Sequence, residues 1–208
     1  MTFIEMPGDQ GSEEWFQNKL GIPSASKFAA VQAAGEGKTR TKYLRQLAGE
    51  IVSGIPRVDF HNDDMDDGNA QEPHLRALYA MVTGTDPQVT GFCKRELPSG
   101  WVGASPDAWL GDDGVLEIKR ARPDVLIEIM QDARPPSRHI AQCQGVMLVT
   151  GRRYCELAIG HEGMPMFRRR ILRDSSYQAR LEIALEAFNQ ELKAMVAWVR
   201  QYGKEGAR

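Results

Sequence analysis

The residues whose types and spacing can do chemistry are Pro106-Asp107, nine residues further on followed by Glu117-Ile118-Lys119. Between them, Gly111-Asp112-Asp113-Gly114 reads as a hairpin turn. Val115 to Lys119 then reads as a strand, with 115, 117 and 119 on one face and Leu116 and Ile118 on the other. The hairpin sets Asp107 across from Glu117 and leaves Lys119 beside it. Two carboxylates on paired strands can share a hard, oxygen-seeking cation such as Mg²⁺. A neighbouring ammonium can hold a water or hydroxide and stabilise negative charge on phosphate. Metal, carboxylates and lysine together suit the hydrolysis of a phosphodiester. Glu72 falls on the helical stripe of Leu75 and Tyr79, where a carboxylate is costly unless paired or bound to a cation. It is a natural third acid, and with it the site could hold a second Mg²⁺ that clamps the attacking and leaving oxygens. A solvated hairpin of mixed charge would carry the same PDx9ExK pattern. The inward Glu72, and Gln142 on a later helix, are what lift the pattern above chance.

The elements that must position these residues can be read along the chain. Ser12 caps a helix whose first apolar anchor is Trp15. Gly21 to Ser26 is a turn in which Ser24 or Ser26 can cap the next short helix, and 33–38 is a flexible loop. Tyr43, Leu44, Leu47, Ala48 and Ile51 repeat at helical spacing until Gly54-Ile55-Pro56. Asp59 to Asp67 holds five Asp and reads as a solvated loop, before a helix from about Gly68 to Thr83 with a stripe of Leu75, Leu78, Tyr79 and Val82. Gly91-Phe92-Cys93 and Trp101 to Ala104 are strand candidates, and Leu126, Ile127 and Met130 suggest a helix after Pro123. Ser137 caps a helix that ends at Gly151; strands follow at Arg153–Ile159 and Met166–Leu172. A long helix from about Ser175 to Tyr202 carries Leu181, Leu185, Phe188, Leu192, Met195 and Val199, and is expected to pack across the sheet. Trp101, Trp109 and Trp198 read as core or interface, and Cys143 as a small buried apolar group. His139, on the helix of Gln142, can face either a ligand or solvent.

With 208 residues, 42% hydrophobic and 26% charged, the chain is neither a disordered tail nor a small disulfide-framed domain. It is expected to form a single domain over 1–208. Three Cys without CxxC spacing and four His without HExxH spacing argue against zinc and iron–sulfur sites. No apolar run approaches the ~20 residues that span a bilayer, and the N-terminus does not resemble a signal peptide. An intracellular, reduced protein with no membrane association is expected. The formal net charge of −2 excludes a uniformly basic binder of nucleic acid. The charge is segregated, however. Residues 1–118 carry 10 Lys/Arg and 18 Asp/Glu, a net of −8, while 119–173 carry 11 and 5, a net of +6. Such a split can place a phosphate-binding lining beside a metal-binding site. In that lining Arg152, Arg153 and Arg168 to Arg170 are candidates for a duplex path.

The order of helix Glu, strand Asp, ExK on the next strand and helix Gln resembles the PD-(D/E)xK nuclease superfamily. More narrowly, the chain resembles the phage lambda exonuclease, or YqaJ-like, family of viral recombinases. The resemblance starts at Trp15-Phe16-Gln17-Asn18-Lys19-Leu20-Gly21-Ile22-Pro23-Ser24-Ala25-Ser26. It continues through Gly68-Asn69-Ala70-Gln71-Glu72, Gly103-Ala104-Ser105-Pro106-Asp107 and Leu116-Glu117-Ile118-Lys119. It ends at Ile140-Ala141-Gln142-Cys143-Gln144 to Val149-Thr150-Gly151, so that it covers roughly residues 12–160. This implies an α/β fold with a restriction-endonuclease-like core: a central mixed β-sheet flanked by helices, with the long helix at the C-terminus.

By the same resemblance, Asp107, Glu117 and the Ile118 carbonyl are the main metal ligands, and Glu72 completes a second site for Mg²⁺, which Mn²⁺ can replace. Lys119 and Gln142 orient the attacking water. Lys19, Ser26 and Ser105 bind the terminal 5′-phosphate of DNA, with Arg122 a further contact. The implied activity is Mg²⁺-dependent degradation of one strand of linear double-stranded DNA, 5′→3′, leaving a 3′ single strand for phage-type recombination. The implied partners are double-stranded DNA ends, a single-strand annealing protein, and further copies of the chain in a trimeric ring. The implied setting is the cytoplasm of a bacterial host. An endonuclease of the same superfamily, and a non-catalytic DNA-binding accessory protein, are the alternatives. Lys19 stands where the family usually has Arg, so it offers a point charge without a bidentate fork. Ala108 replaces a common Gly, and Arg120-Ala121-Arg122-Pro123 replaces the usual Cys-Pro after the lysine.

Overall fold

Among the described residues seven strands form two sheets, and Pro106, which has no N–H to continue a ladder, sits at the break between them. The computed structural model describes residues 3–33, 37–57 and 63–205. The first sheet is antiparallel, in the order β1 (Ile4–Glu5), β2 (Cys93–Leu97), β3 (Gly100–Ala104). The second, in the order β4 (Ala108–Leu110), β5 (Gly114–Arg120), β6 (Tyr154–Gly160), β7 (Phe167–Leu172), is mixed. Its β5–β6 pair is parallel and the flanking pairs are antiparallel. A parallel pair needs a crossover, and α5 (Pro123–Asp132) and α6 (Ser137–Thr150) supply it. The expected mixed sheet is this second one; the first is an addition to it.

The hairpin forms as expected. Ala108 pairs with Leu116 and Leu110 with Gly114, and Asp107 N donates to Leu116 O at 3.1 Å. Alternation along β5 then divides the core. Val115, with Cys155, Leu157 and Ile159 of β6, joins the main core with Val146 and Met147 of α6. Leu116 and Ile118 turn to the opposite face, against Leu75 and Tyr79 of α4 (Asp63–Thr83). Helix α7 (Ser175–Glu205) buries Leu181, Leu185, Phe188 and Leu192. It packs on α3 (Lys38–Ser53), where Phe188 stacks on Tyr43 at 5.7 Å, on α2 (Phe28–Gln32) and on α6, and meets the first sheet at β3 and through Glu182, which pairs with Arg95 of β2 at 3.5 Å. So α7 covers helices more than the sheet, and Val196 takes the buried place at the end of its stripe.

Ser12 does cap α1 (Glu13–Lys19), its Oγ accepting from Trp15 N at 3.2 Å. Ser24 holds the cap position of the short turn Ala25–Lys27 but makes no capping bond with its side chain. Ser137 is already inside α6, whose cap residue is Pro136. The acidic run was expected to be a loop, yet α4 begins at Asp63 rather than Gly68. The buried stripe of α4 ends at Tyr79, with Val82 exposed, and Ile127 is exposed while Ile129 faces inward. Strand β2 starts at Cys93, so Gly91 and Phe92 precede it. Positions 34–36 of the expected loop, and 58–62 at the start of the acidic run, lie outside the described residues.

Candidate active site

Asp107 and Glu117 are both buried, Glu117 completely. The register of β4 on β5 places them side by side. Asp107 Oδ2 accepts from Ile118 N at 2.5 Å. Glu117 Oε2 accepts from Gln142 Nε2 at 2.6 Å and meets Lys119 Nζ at 3.0 Å. The odd-numbered face of β5 therefore puts Glu117 and Lys119 together under α6, which carries Gln142. Burial, then the charge of Glu117, holds the Asp107 carboxyl well above its ordinary range, with Glu72 adding to the effect and Lys119 opposing it. Burial also raises Glu117, against the pull of Lys119. Desolvation favours the neutral amine at Lys119, but the charges of Glu117 and Asp107 outweigh it and hold the ammonium charged.

This donor set fits a divalent, oxygen-seeking cation. Glu117 Oε1 is buried with no hydrogen-bond partner, an open acceptor of the kind a cation would satisfy. Two buried carboxylates that repel each other would be relieved by the same ion. Glu72 is reached differently. It comes from α4, and its Oε1 is held by Arg76 NH2 at 2.5 Å, one turn on. No three His, Cys, Asp or Glu side chains among the described residues converge as a ready-made metal cage. The two-carboxylate pair is assembled; the third acid is turned to its arginine.

A cleft of about 380 Å³ opens over these groups. Its lining brings Lys19, Ser26 and Ser105 to the same space as Glu72, Asp107, Ile118, Lys119 and Gln142. The loop that carries Ser26 is tied down at several points. Gly103 N donates to Pro23 O at 2.8 Å, Ser24 N to Tyr43 Oη at 3.0 Å, and Gly21 N to Glu50 Oε2 at 3.0 Å. Gly21 has a φ of +69°, a turn that glycine adopts without strain. Trp15 Nε1 donates to Ser105 Oγ at 3.0 Å, and the Lys19 ammonium lies 4.3 Å from the Trp15 ring centroid.

Arg122 is not brought to the cleft. It precedes α5, is exposed, and bonds Asp124 at 3.0 Å. Arg120 lines the cleft instead. His139 is half-buried on α6, and burial, with the charges of Lys119 and Arg138, pushes its imidazole down to about 4, so it is neutral at neutral pH. Reading by residue type missed Trp15 as the partner of Ser105, and Tyr43 and Glu50 as anchors of the Ser26 loop. All three were legible only as core or helix residues, because their partners are distant in sequence.

Residues 14–153 match the model of the YqaJ-like viral recombinase domain. The chain belongs to this family. Its fold is shared with an alkaline exonuclease (LHK-Exo) from Laribacter hongkongensis at 31% identity and a TM-score of 0.84, over 93% of this chain and 99% of that one. A second structure of LHK-Exo, in complex with dAMP, matches at 32% identity with the same TM-score and the same coverage. A phage-related exonuclease from Haemophilus somnus 129PT, at 13% identity and a TM-score of 0.66 over 87% of this chain and 96% of that one, shares the fold. No curated protein matches the chain at a significant level. The YqaJ-like membership, with the PD-(D/E)xK exonuclease fold expected from the motifs, supports a nuclease role in recombination. No helix among the described residues is long and apolar enough to cross a membrane.

Proposed function

We propose that this YqaJ-like protein is a Mg²⁺-dependent 5′→3′ exonuclease that degrades one strand of linear double-stranded DNA. One observation carries the reading: Asp107 and Lys119, with the fully buried Glu117 3.0 Å behind the Lys119 ammonium, line one cleft with Lys19, Ser26 and Ser105. Asp107, Glu117 and the Ile118 carbonyl would hold the cation, with Glu72 a further ligand for a second ion once it leaves Arg76. Bound there, Mg²⁺ would act as a Lewis acid on the scissile phosphate and favour ionisation of a water; Mn²⁺ can serve likewise. Lys119 would hold that water against phosphorus and stabilise charge on the non-bridging oxygens. Gln142 fixes the Glu117 carboxylate in place. Lys19, Ser26 and Ser105 would grip the terminal 5′-phosphate, setting the register so that water attacks the next phosphorus and the P–O3′ bond breaks. The product is a 5′-mononucleotide and a new 5′-phosphate end, which the same grip can take. Polarity follows from this placement of an anion-binding wall beside the carboxylates.

The same reading leaves a 3′ single strand for recombination by a strand-annealing protein in the cytoplasm of a bacterial host, with the enzyme a homo-oligomer in the form of a trimeric ring. The test is a linear duplex labelled at either 5′ or 3′ end, with Mg²⁺. Early release of the 5′ label as a mononucleotide is the expected result. Release of the 3′ label first, or cutting of a closed circular plasmid, would overturn it.

A further inference from the structure

Helix α3 opens with more positive charge than its own stability calls for. Lys38 and Arg40 fall in its first turn, where the helix dipole is already positive and cations are unfavourable, and Lys42 and Arg45 follow within the next. Lys38, Lys42 and Arg45 follow one another at steps of four and three, on one exposed stripe, and have no ion-pair partner among the described residues. Arg40 beside them is held by Glu191 of α7 at 2.7 Å. With Arg57 these side chains line an open trough of about 780 Å³. It shares Gln46 and Arg57 with a groove of about 710 Å³ that runs on to Lys19, Ser26 and Glu72 at the cleft.

Beyond the Glu191 end of the trough, α7 carries two exposed aromatic residues. Arg40 lies level with Glu191, and Tyr43 with Phe188, so α7 runs antiparallel to α3 and continues past its start. Trp198 and Tyr202 follow Glu191 by seven and eleven residues, about two and three turns, on the same side of the helix. They therefore stand about 10 and 16 Å further along the axis. Trp198 is 64% and Tyr202 67% exposed, with ring centroids 5.8 Å apart. Cations tracking a backbone, with bare aromatic rings beside them, match an unpaired nucleic-acid strand, whose bases offer free π-faces. A duplex would use the cations but hides those faces. An isologous pair of copies would bring like charges together, and a heterologous ring contact is told apart from nucleic acid by sedimentation.

We infer that the α3 trough and the Trp198–Tyr202 pair bind single-stranded DNA, the strand left when its complement is hydrolysed. This rests on the exonuclease reading for its biological sense, but its test is separate. An oligothymidylate of about 20 nucleotides is titrated in chelator and followed by anisotropy and by tryptophan fluorescence. The full-length wild type is expected to bind with quenching that Trp198→Phe removes. Lys38→Gln/Lys42→Gln/Arg45→Gln should weaken binding at least tenfold and make the log–log salt slope shallower by about 2. Trp198→Ala/Tyr202→Ala should weaken it by about tenfold. Wild type that does not bind, or variants that bind as tightly as wild type, overturn the inference. So does a change in sedimentation of the aromatic variant with unchanged affinity, which makes the surface a contact between copies. Digestion of linear duplex by wild type is assayed alongside. No digestion with trough-dependent binding removes the exonuclease reading and keeps this site; digestion with variant-insensitive binding does the reverse.

Discussion

Lys119 is the residue on which hydrolysis should depend most steeply. Its ammonium is kept charged in a buried place by Glu117 and Asp107, so it is available to stabilise negative charge without first being reorganised. Lys119→Ala should lower the rate of duplex digestion by about 10²–10³-fold, while duplex binding in chelator stays within about twofold, since one phosphate contact among several is lost. Normal digestion by this variant would remove Lys119 from the chemistry. Asp107 makes the complementary case. Its buried charge is unfavourable unless a cation joins it. Asp107→Asn can still accept from Ile118 N, so in chelator we expect it to be more stable than wild type by about 1–2 kcal/mol, or about 2–8 °C in Tm. Added Mg²⁺ should raise the Tm of wild type but not of the variant, by linkage of binding to folding. The adjacency of Asp107, Glu117 and Lys119 was legible from strand alternation and a short hairpin, but a solvated hairpin shares that spacing, and Glu72 and Gln142 were what marked it as a site. Arg122 was not legible: its placement beyond the end of β5 is set by the start of α5, and Asp124 two residues on takes its guanidinium.

At the scale of elements, α3 acts as the platform for the Ser26 loop. Tyr43 Oη accepts from Ser24 N and Glu50 accepts from Gly21 N, so two residues two turns apart on one helix face pin both ends of a turn. Burial pushes the Tyr43 hydroxyl up to about 12, against the opposing hydrogen bond from Ser24. A raised pKa in the folded state means this contribution to stability is intact below about pH 10 and is lost as pH rises to about 12. The loss should be on the order of 2–3 kcal/mol. Urea melts between pH 9 and 12 should show that limb in wild type and not in Tyr43→Phe. The phenylalanine variant should also start about 1 kcal/mol lower, because Ser24 N loses its acceptor. A pH-independent difference between the two proteins would place the alkaline limb elsewhere. Helix α3 itself was legible from its apolar spacing and its Gly54 stop. Its role was not, because Tyr43 and Glu50 look like a core aromatic and a surface acid until their partners, 19 and 29 residues away, fold onto them. The separate first sheet was missed for a related reason: β1 is two residues long and is held by pairing with β2.

Over the whole molecule, the sign of the charge split was informative and its address was not. The basic stretch 119–173 supplies Lys119 and Arg120 to the cleft, but much of the rest is committed elsewhere. Arg170 bonds Glu156 on β6, Arg169 donates to Ala133 O, and Arg152 lies over Trp109. The cations of the adjoining groove come from the acidic half of the chain: Lys19, Lys27, Arg57 and Arg76. Folding, and no simple division of the sequence, therefore assembles the positive path. The acidic excess is partly the site itself, since Glu72, Asp107 and Glu117 would be neutralised by metal. A protein of net charge −2 should then bind duplex ends with the salt response of a basic one. If four of these six cations meet phosphates, the log–log slope of affinity against salt is about −3.6. Between 50 and 200 mM salt that is a loss of about 100-fold in chelator. Substituting Lys19 and Lys27 together with Gln should flatten the slope by about 2, and leave the slope unchanged if the path runs over β7. Substituting Arg168 and Arg169 should do the opposite: little effect on the slope if the groove carries the DNA, and a loss of about 2 if the edge strand does.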